Sequence, residues 1–182
     1  MDTSEFAMIT KSKNTIIADH GDWIEVDVST KTHPDAVMKI DKHDALVLFA
    51  FGKRMYADRR STHHATVYVS IDIIPKHKQL VHRVLLPDAQ YIDHADHDGT
   101  NNRRSNLRGC THSQNLHNRP VQINNELGHK GISKRKDTGK YVARLVVDGV
   151  KILREEFSTL EDAIGARKKA EEIHICEFSY KG

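Results

Sequence analysis

The sequence of 182 residues predicts an α+β protein: a β-rich N-terminal region running into a polar ββα unit, then a small three-stranded antiparallel sheet with one helix. Three observations carry this. Stretches such as TIIADHGDWIEVDV (15–28) and ATVYVSIDII (65–74) alternate or bunch β-branched apolar residues, the pattern of strands with one buried face. Near the C-terminus, turns at Asp137 to Gly139 and Asp148-Gly149 separate three short apolar runs, and an Asp-Gly pair is a strong hairpin signal. Behind them STLEDAIGARKKAEEIHI (158–175) repeats at helical spacing, with Leu160, Ala163, Ile164 and Ala170 near one face and a capping box expected from Ser158 and Glu161.

Between the first two strand-like stretches, HDALVLFAFGKRMYADRR (43–60) holds an apolar run, Leu46 to Phe51, that suits either a buried strand or a short helix. Pro75 interrupts the pattern, and LVHRVLL (80–86) restarts a short apolar element that ends at Pro87. After Arg119-Pro120 the stretch VQINNELGHKG is polar and aperiodic, so the expected organisation is residues 1–119, a linker at 120–128, and a second domain at 129–182.

Lysine and arginine number 28 against 25 acidic residues, a net charge of +3 that matters only where it is concentrated. The two cysteines, Cys110 and Cys176, lie far apart, which argues against a disulfide framework or a CxxC zinc ribbon and favours a reducing cytoplasm. No apolar run approaches the roughly 18 to 20 residues of a membrane span, and MDTSEFAMITKSK lacks a signal-peptide core. A soluble, unprocessed cytoplasmic protein is expected.

The segment YIDHADHDGTNNRRSNLRGCTHSQNLHNR (91–119) is dense in His, Asp, Asn and Arg and nearly devoid of aliphatic side chains. That composition suits phosphodiester hydrolysis, which needs one group to make a hydroxide and another to stabilise charge on the phosphate and leaving oxygen. Asp93 and His94 are neighbours, so on a strand they point to opposite faces, one able to hold a metal while the other faces a water. A polar loop follows, RRSNLR returns as a second strand, and THSQNLHN reads as a helix with Thr111 as its cap. A helix carrying Asn115 could then supply a second protein ligand.

DHADHDGTNNRRSNLR followed by THSQN resembles the HNH endonucleases, in particular the phage and intron-encoded homing type, over about Leu80 to Asn118. The resemblance implies that Asp93 and Asn115 are metal ligands, His94 the general base, and Asn106 the residue that orients the His94 loop. It implies Mg²⁺ or Mn²⁺, because a carboxylate and a carboxamide offer hard oxygen donors. His97, three residues further on, competes with His94 for ligand or base. The upstream pair His82 and Arg83, with Arg104 and Arg108, is expected on DNA, whereas His112 and His117 are expected to be solvated.

From Lys130 to Arg154 the chain concentrates eight basic residues against Asp137 and Asp148. The string GISKRKDTGKYVARLVVDGVKILREEFSTLEDAIGARKKAEE resembles the ethylene-response-factor (Apetala-two) type DNA-binding domain, over about Gly128 to Phe178. By position Lys130, Ser133, Arg135, Arg144 and Lys151 fall where that family contacts DNA, and Lys140 joins them from the same basic stretch. The tryptophans typical of the plant domains are missing, with Leu153 at one of their places. The expected whole is a homing-type, single-metal endonuclease that nicks double-stranded DNA. The competing expectation is a non-catalytic DNA-binding regulator built on the same scaffold. The expected partner is double-stranded DNA, with no membrane and no small-molecule cofactor, as a monomer or dimer. Met1 to Lys78 is expected to be a supporting sheet, with Lys53, Arg54, Arg59 and Arg60 as further DNA contacts.

Overall fold

A computed structural model describes residues 13–59, 66–119, 121, 124–175 and 178. It mixes α and β structure in small antiparallel sheets and, among the described residues, four helices. The chain divides into two compact units, Met1–Cys110 and Thr111–Gly182. This division falls earlier than the polar 120–128 stretch, because the helix after Cys110 has its described contacts in the second unit. No helix among the described residues is long and apolar enough to cross a membrane.

In the first unit, β1 (Ile16–Asp19), β2 (Trp23–Asp27) and β3 (Val37–Asp41) form one sheet in that order. The 15–28 stretch is thus two strands, because Gly21 takes a left-handed φ of 88° and the Asp19 carboxylate accepts from its N–H at 2.9 Å. The ambiguous run resolves as α1 (Lys42–Ala50): Ala45, Leu48 and Phe49 bury at i, i+3, i+4 spacing while Val47 and Phe51 face out. A second sheet follows, β4 (Met55–Asp58), β5 (Tyr68–Ile74) and β6 (His77–Leu80), turning at Lys76 with φ 65°. The 80–86 element is a short helix, α2 (Val81–Leu85). One apolar core joins all of these, from Ile24, Val26 and Met38 through Phe49, Met55 and Ile71 to Val81, Leu85 and Leu107. Leu107 belongs to the hairpin of β7 (Tyr91–His94) and β8 (Leu107–Cys110), so the polar segment is anchored to the core at that point.

The second unit starts with α3 (His112–Asn118), capped as expected by Thr111: its hydroxyl accepts from Gln114 N–H at 3.2 Å while the Gln114 side chain accepts from Thr111 N–H at 2.8 Å. Lys130 Nζ donates to the His117 carbonyl at 2.8 Å, and Ser113 Oγ accepts from Asp148 N–H at 3.2 Å, which ties α3 to the sheet that follows. That sheet is β9 (Ile132–Lys134), β10 (Tyr141–Val147) and β11 (Val150–Phe157), with β10 central. Asp148 and Gly149 both take positive φ, 48° and 82°, so β10 and β11 join through the mirror-image turn that matches strand twist. Helix α4 (Leu160–His174) covers one face, packing Ala163, Leu160 and Ile164 on Ile132, Ala143, Leu153 and Phe157. Its cap is Thr159, which accepts from Asp162 N–H at 3.1 Å, and not Ser158 as the pattern suggested. The two positions satisfy the same hydroxyl-then-acid spacing, and the chain turns helical one residue later.

Candidate active site

The hairpin places Asp93 opposite Arg108 and His94 opposite Leu107. Asp93 and His94 are each only 6% exposed, although both are polar. Burying such groups is costly unless partners compensate. For Asp93 the partner is Arg108, whose guanidinium donates to Asp93 Oδ2 across the strands. The His94 ring instead enters an aromatic corner, 5.1 Å from the His82 ring and 5.7 Å from the Tyr68 ring, while Tyr68 and His82 stand 5.5 Å apart. Burial lowers the His94 pKa from its ordinary 6.5, against the opposing pull of the Asp96, Asp93 and Asp98 carboxylates and the Asn102 carboxamide. Burial thus favours the neutral imidazole, the form a proton acceptor needs.

Asn106 closes the loop between the two strands. Its Oδ1 accepts from Asp96 N–H at 3.0 Å, and its Nδ2 donates to Asp96 Oδ1 at 2.8 Å and to the Asn101 carbonyl at 2.9 Å. The Ala95 N–H donates to the Asn106 carbonyl at 3.0 Å, so a single residue fixes the chain immediately after His94. Burial raises the Asp96 pKa, but hydrogen bonds from Asn101, from the Asp98 N–H and from Asn106 outweigh it and hold the carboxyl below its ordinary range. His97 sits in this loop at φ 65°, donating its N–H to the His94 carbonyl at 3.0 Å.

The N-terminal sheet grips the same loop from outside. Lys39, on the edge strand β3, donates its N–H to the Thr100 carbonyl at 3.1 Å and accepts from Asn102 N–H at 2.8 Å. Asp41 accepts from Arg103 Nε at 3.2 Å and from Arg104 N–H at 2.8 Å. Arg104 grips the buried Asp44 with two parallel bonds of 2.7 and 2.9 Å, and Arg103 lies over the Trp23 ring at 4.7 Å. Local sequence offers no signal for Tyr68, Lys39, Asp41, Asp44 or Trp23 in these roles, since their partners lie tens of residues away.

The residues expected on DNA separate into committed and open groups. Within the first unit, Arg83 donates to the carbonyls of Ala89 and Gln90 at 2.6 and 3.1 Å, Arg104 and Arg108 hold carboxylates, and His82 is buried. Arg54 donates to the Ser29 carbonyl at 3.0 Å, and Arg60 lies outside the described residues. In the second unit, burial pushes the Lys130 pKa down to about 8, with its amine on the α3 carbonyls, and Arg135 is paired with Asp137 and with Glu156 at 2.6 Å. Lys140 is exposed in the β9–β10 turn. Ser133, Arg144 and Lys151 lie on the sheet face away from α4, and Arg154 pairs directly opposite Arg144 on that face. Like charges so placed repel, which favours an anion between them.

Asp93 supplies a buried hard-oxygen donor that already holds a cationic group, so it suits a divalent cation such as Mg²⁺. Among the described residues, no three His, Cys, Asp or Glu side chains gather as a metal cage. Asn115 stands within α3, its N–H donating to the Thr111 carbonyl at 3.1 Å, and belongs to the second unit.

Residues 86–117 match the family model of the HNH endonucleases. The matched span runs from the end of α2 through the hairpin and most of α3, and includes Asp93, His94, Asn106 and Asn115. It carries a nuclease signature, and the family implies DNA as substrate. Neither the curated proteins nor the solved structures gave a match.

Proposed function

We propose that this chain is a metal-dependent, homing-type endonuclease that hydrolyses phosphodiester bonds in double-stranded DNA, one strand per protomer. The observation that supports it is the buried, family-matched hairpin on which a carboxylate and an imidazole stand side by side at Asp93 and His94. His94 accepts a proton from a water whose oxygen forms the new bond to phosphorus as the P–O3′ bond breaks. Asn106 holds the loop that carries this strand end. Asp93 would hold Mg²⁺ or Mn²⁺, which would supply charge neutralisation at the phosphate and leaving oxygen. Ser133, Arg144 and Lys151, with Lys140 at the turn, hold the duplex from the C-terminal sheet, where cations exposed on a strand face can reach backbone or groove. The pairing of a nicking hairpin with a DNA-reading sheet suits a mobile element in a phage or bacterial genome, acting in the cytoplasm.

One observation favours a second reading, a DNA-binding regulator without cleavage: Arg108 already neutralises Asp93. A supercoiled-plasmid nicking assay in Mg²⁺ or Mn²⁺ separates them. The nuclease reading expects nicking that His94→Ala abolishes with DNA binding retained. Wild-type protein that binds duplex but leaves every tested plasmid closed supports the regulator.

A further inference from the structure

The family match begins at residue 86, yet two of the three rings in the corner around His94 come from earlier in the chain, Tyr68 on β5 and His82 on α2. The rings of His82 and His94 meet at an interplanar angle of 78°, Tyr68 and His82 at 69°, and Tyr68 and His94 at 59°. Each pair is an edge-on or tilted contact, the arrangement in which one ring's positive edge meets another's negative face. A histidine ring turns broadly about its last side-chain bond, so packing must choose its orientation.

Tyr68 also seats the loop that follows His94. A Cβ added at Gly99 would lie 2.3 Å from the Val67 carbonyl oxygen and 2.7 and 2.9 Å from Tyr68 Cδ1 and Cε1. Only a residue without a side chain lets the Asp96–Asn102 turn approach the Tyr68 ring so closely. One tyrosine thus touches both the imidazole and the turn behind it, from a strand whose Val69 and Ile71 are locked in the core.

We infer that Tyr68 is a positioning residue for His94, fixing the ring plane of the proton acceptor through edge-on contact, with His82 as the second wall. This rests on the nuclease reading above for its kinetic consequence, though not for the geometry. A misplacement near 1 Å at a reacting group can lower a rate by about 100-fold, which leaves room for a large effect from a residue that touches no substrate.

The test uses the full chain on supercoiled plasmid with Mg²⁺. Tyr68→Leu, which keeps apolar bulk and loses the ring, is expected to lower kcat about 10- to 100-fold with KM and duplex affinity unchanged. Tyr68→Phe is expected to restore the rate, and Gly99→Ala to lower it as Tyr68→Leu does. In a ¹H–¹³C spectrum, the His94 ring resonances should shift in Tyr68→Leu and return in Tyr68→Phe. A Tyr68→Leu protein that cuts at the wild-type rate while His94→Ala is inactive overturns the inference and leaves the nuclease reading standing. A wild-type protein that does not cut refutes the nuclease reading instead. The spectrum then decides alone, and unmoved His94 resonances in Tyr68→Leu overturn the positioning role.

Discussion

The two units build small antiparallel sheets of similar size and use polar side chains in opposite ways. Around β7 and β8 the polar groups are answered from within the protein: the buried Asp93 by Arg108, the exposed Arg104 by the buried Asp44, and the exposed Asp96 by Asn101 and the buried Asn106. On the open face of β9, β10 and β11, Arg144, Lys151 and Arg154 are exposed, and two of them directly oppose each other. Groups locked by internal partners are preorganised, which is what chemistry on a bound substrate requires. Cations left facing water and each other keep their charge available to a polyanion, the role proposed for this face. The contrast separates where the bond would be cut from where the duplex would be held.

Substitutions can break this comparison, and the largest effect is expected at the hairpin. His94→Ala should lower the nicking rate by about 10²- to 10⁴-fold, the usual contribution of a positioned acid or base. Chelation of the divalent metal by EDTA should stop nicking equally, and duplex binding measured by gel shift should survive both. Next comes Arg108→Ala. It removes the cationic partner of the buried Asp93 carboxylate, and losing one member of a buried pair typically costs about 3–5 kcal/mol. Urea unfolding should show a loss toward the lower end of that range, since Arg108 keeps 18% of its side chain in water. Part of that loss should return on adding Mg²⁺ if the metal takes the vacated place.

The sheet face should answer differently. Arg144→Ala and Arg154→Ala are each expected to weaken duplex binding and to reduce the slope of log affinity against log salt by about one for every phosphate no longer neutralised. The single-turnover rate at saturating protein should not change. Acidity gives a smaller, signed effect. Burial holds folded His94 below its ordinary 6.5, so the unfolded chain takes up a proton as pH falls through 6.5 before the folded one does. In that window the unfolded state binds more protons, and stability should fall with acidification. Nicking should correspondingly persist at pH 6.5 and decline only below it. The smallest effect is at Cys110, whose thiol burial raises to about 11; alkylation at pH 8 should be slow in the folded protein and fast in urea.

Much of the hairpin's fold is legible in the sequence because its pattern is local. Asp93, His94 and Asn106 fall within one loop's length of each other, and adjacency on a strand sets which way each can face. What holds that loop is not legible. Asp41 meets Arg103 across 62 residues and Asp44 meets Arg104 across 60, and no local pattern announces such pairs. For the same reason Arg104 and Arg108 look like free cations in the sequence and prove to be engaged with carboxylates in the fold. Charge counting overstates the C-terminal surface as well: Lys130 is turned onto the end of α3 and Arg135 onto Asp137 and Glu156, which leaves a narrower open face than eight basic residues suggest. The helix boundaries show the limits of capping rules, since Ser158 and Thr159 offer the same signal one residue apart. The apolar run at Leu46 to Phe51 becomes helical because Ala45, Leu48 and Phe49 all reach the core at once, which a strand would not permit.

The most direct measurement is single-turnover plasmid nicking in Mg²⁺ set beside duplex affinity for three proteins: wild type, His94→Ala, and the Arg144→Ala/Arg154→Ala double variant. A nuclease divided in this way loses rate and keeps affinity in the first variant, and keeps rate at saturation while losing affinity in the second. If His94→Ala nicks as fast as wild type, or if rate and affinity fall together in both variants, the division between a cutting hairpin and a holding sheet is contradicted.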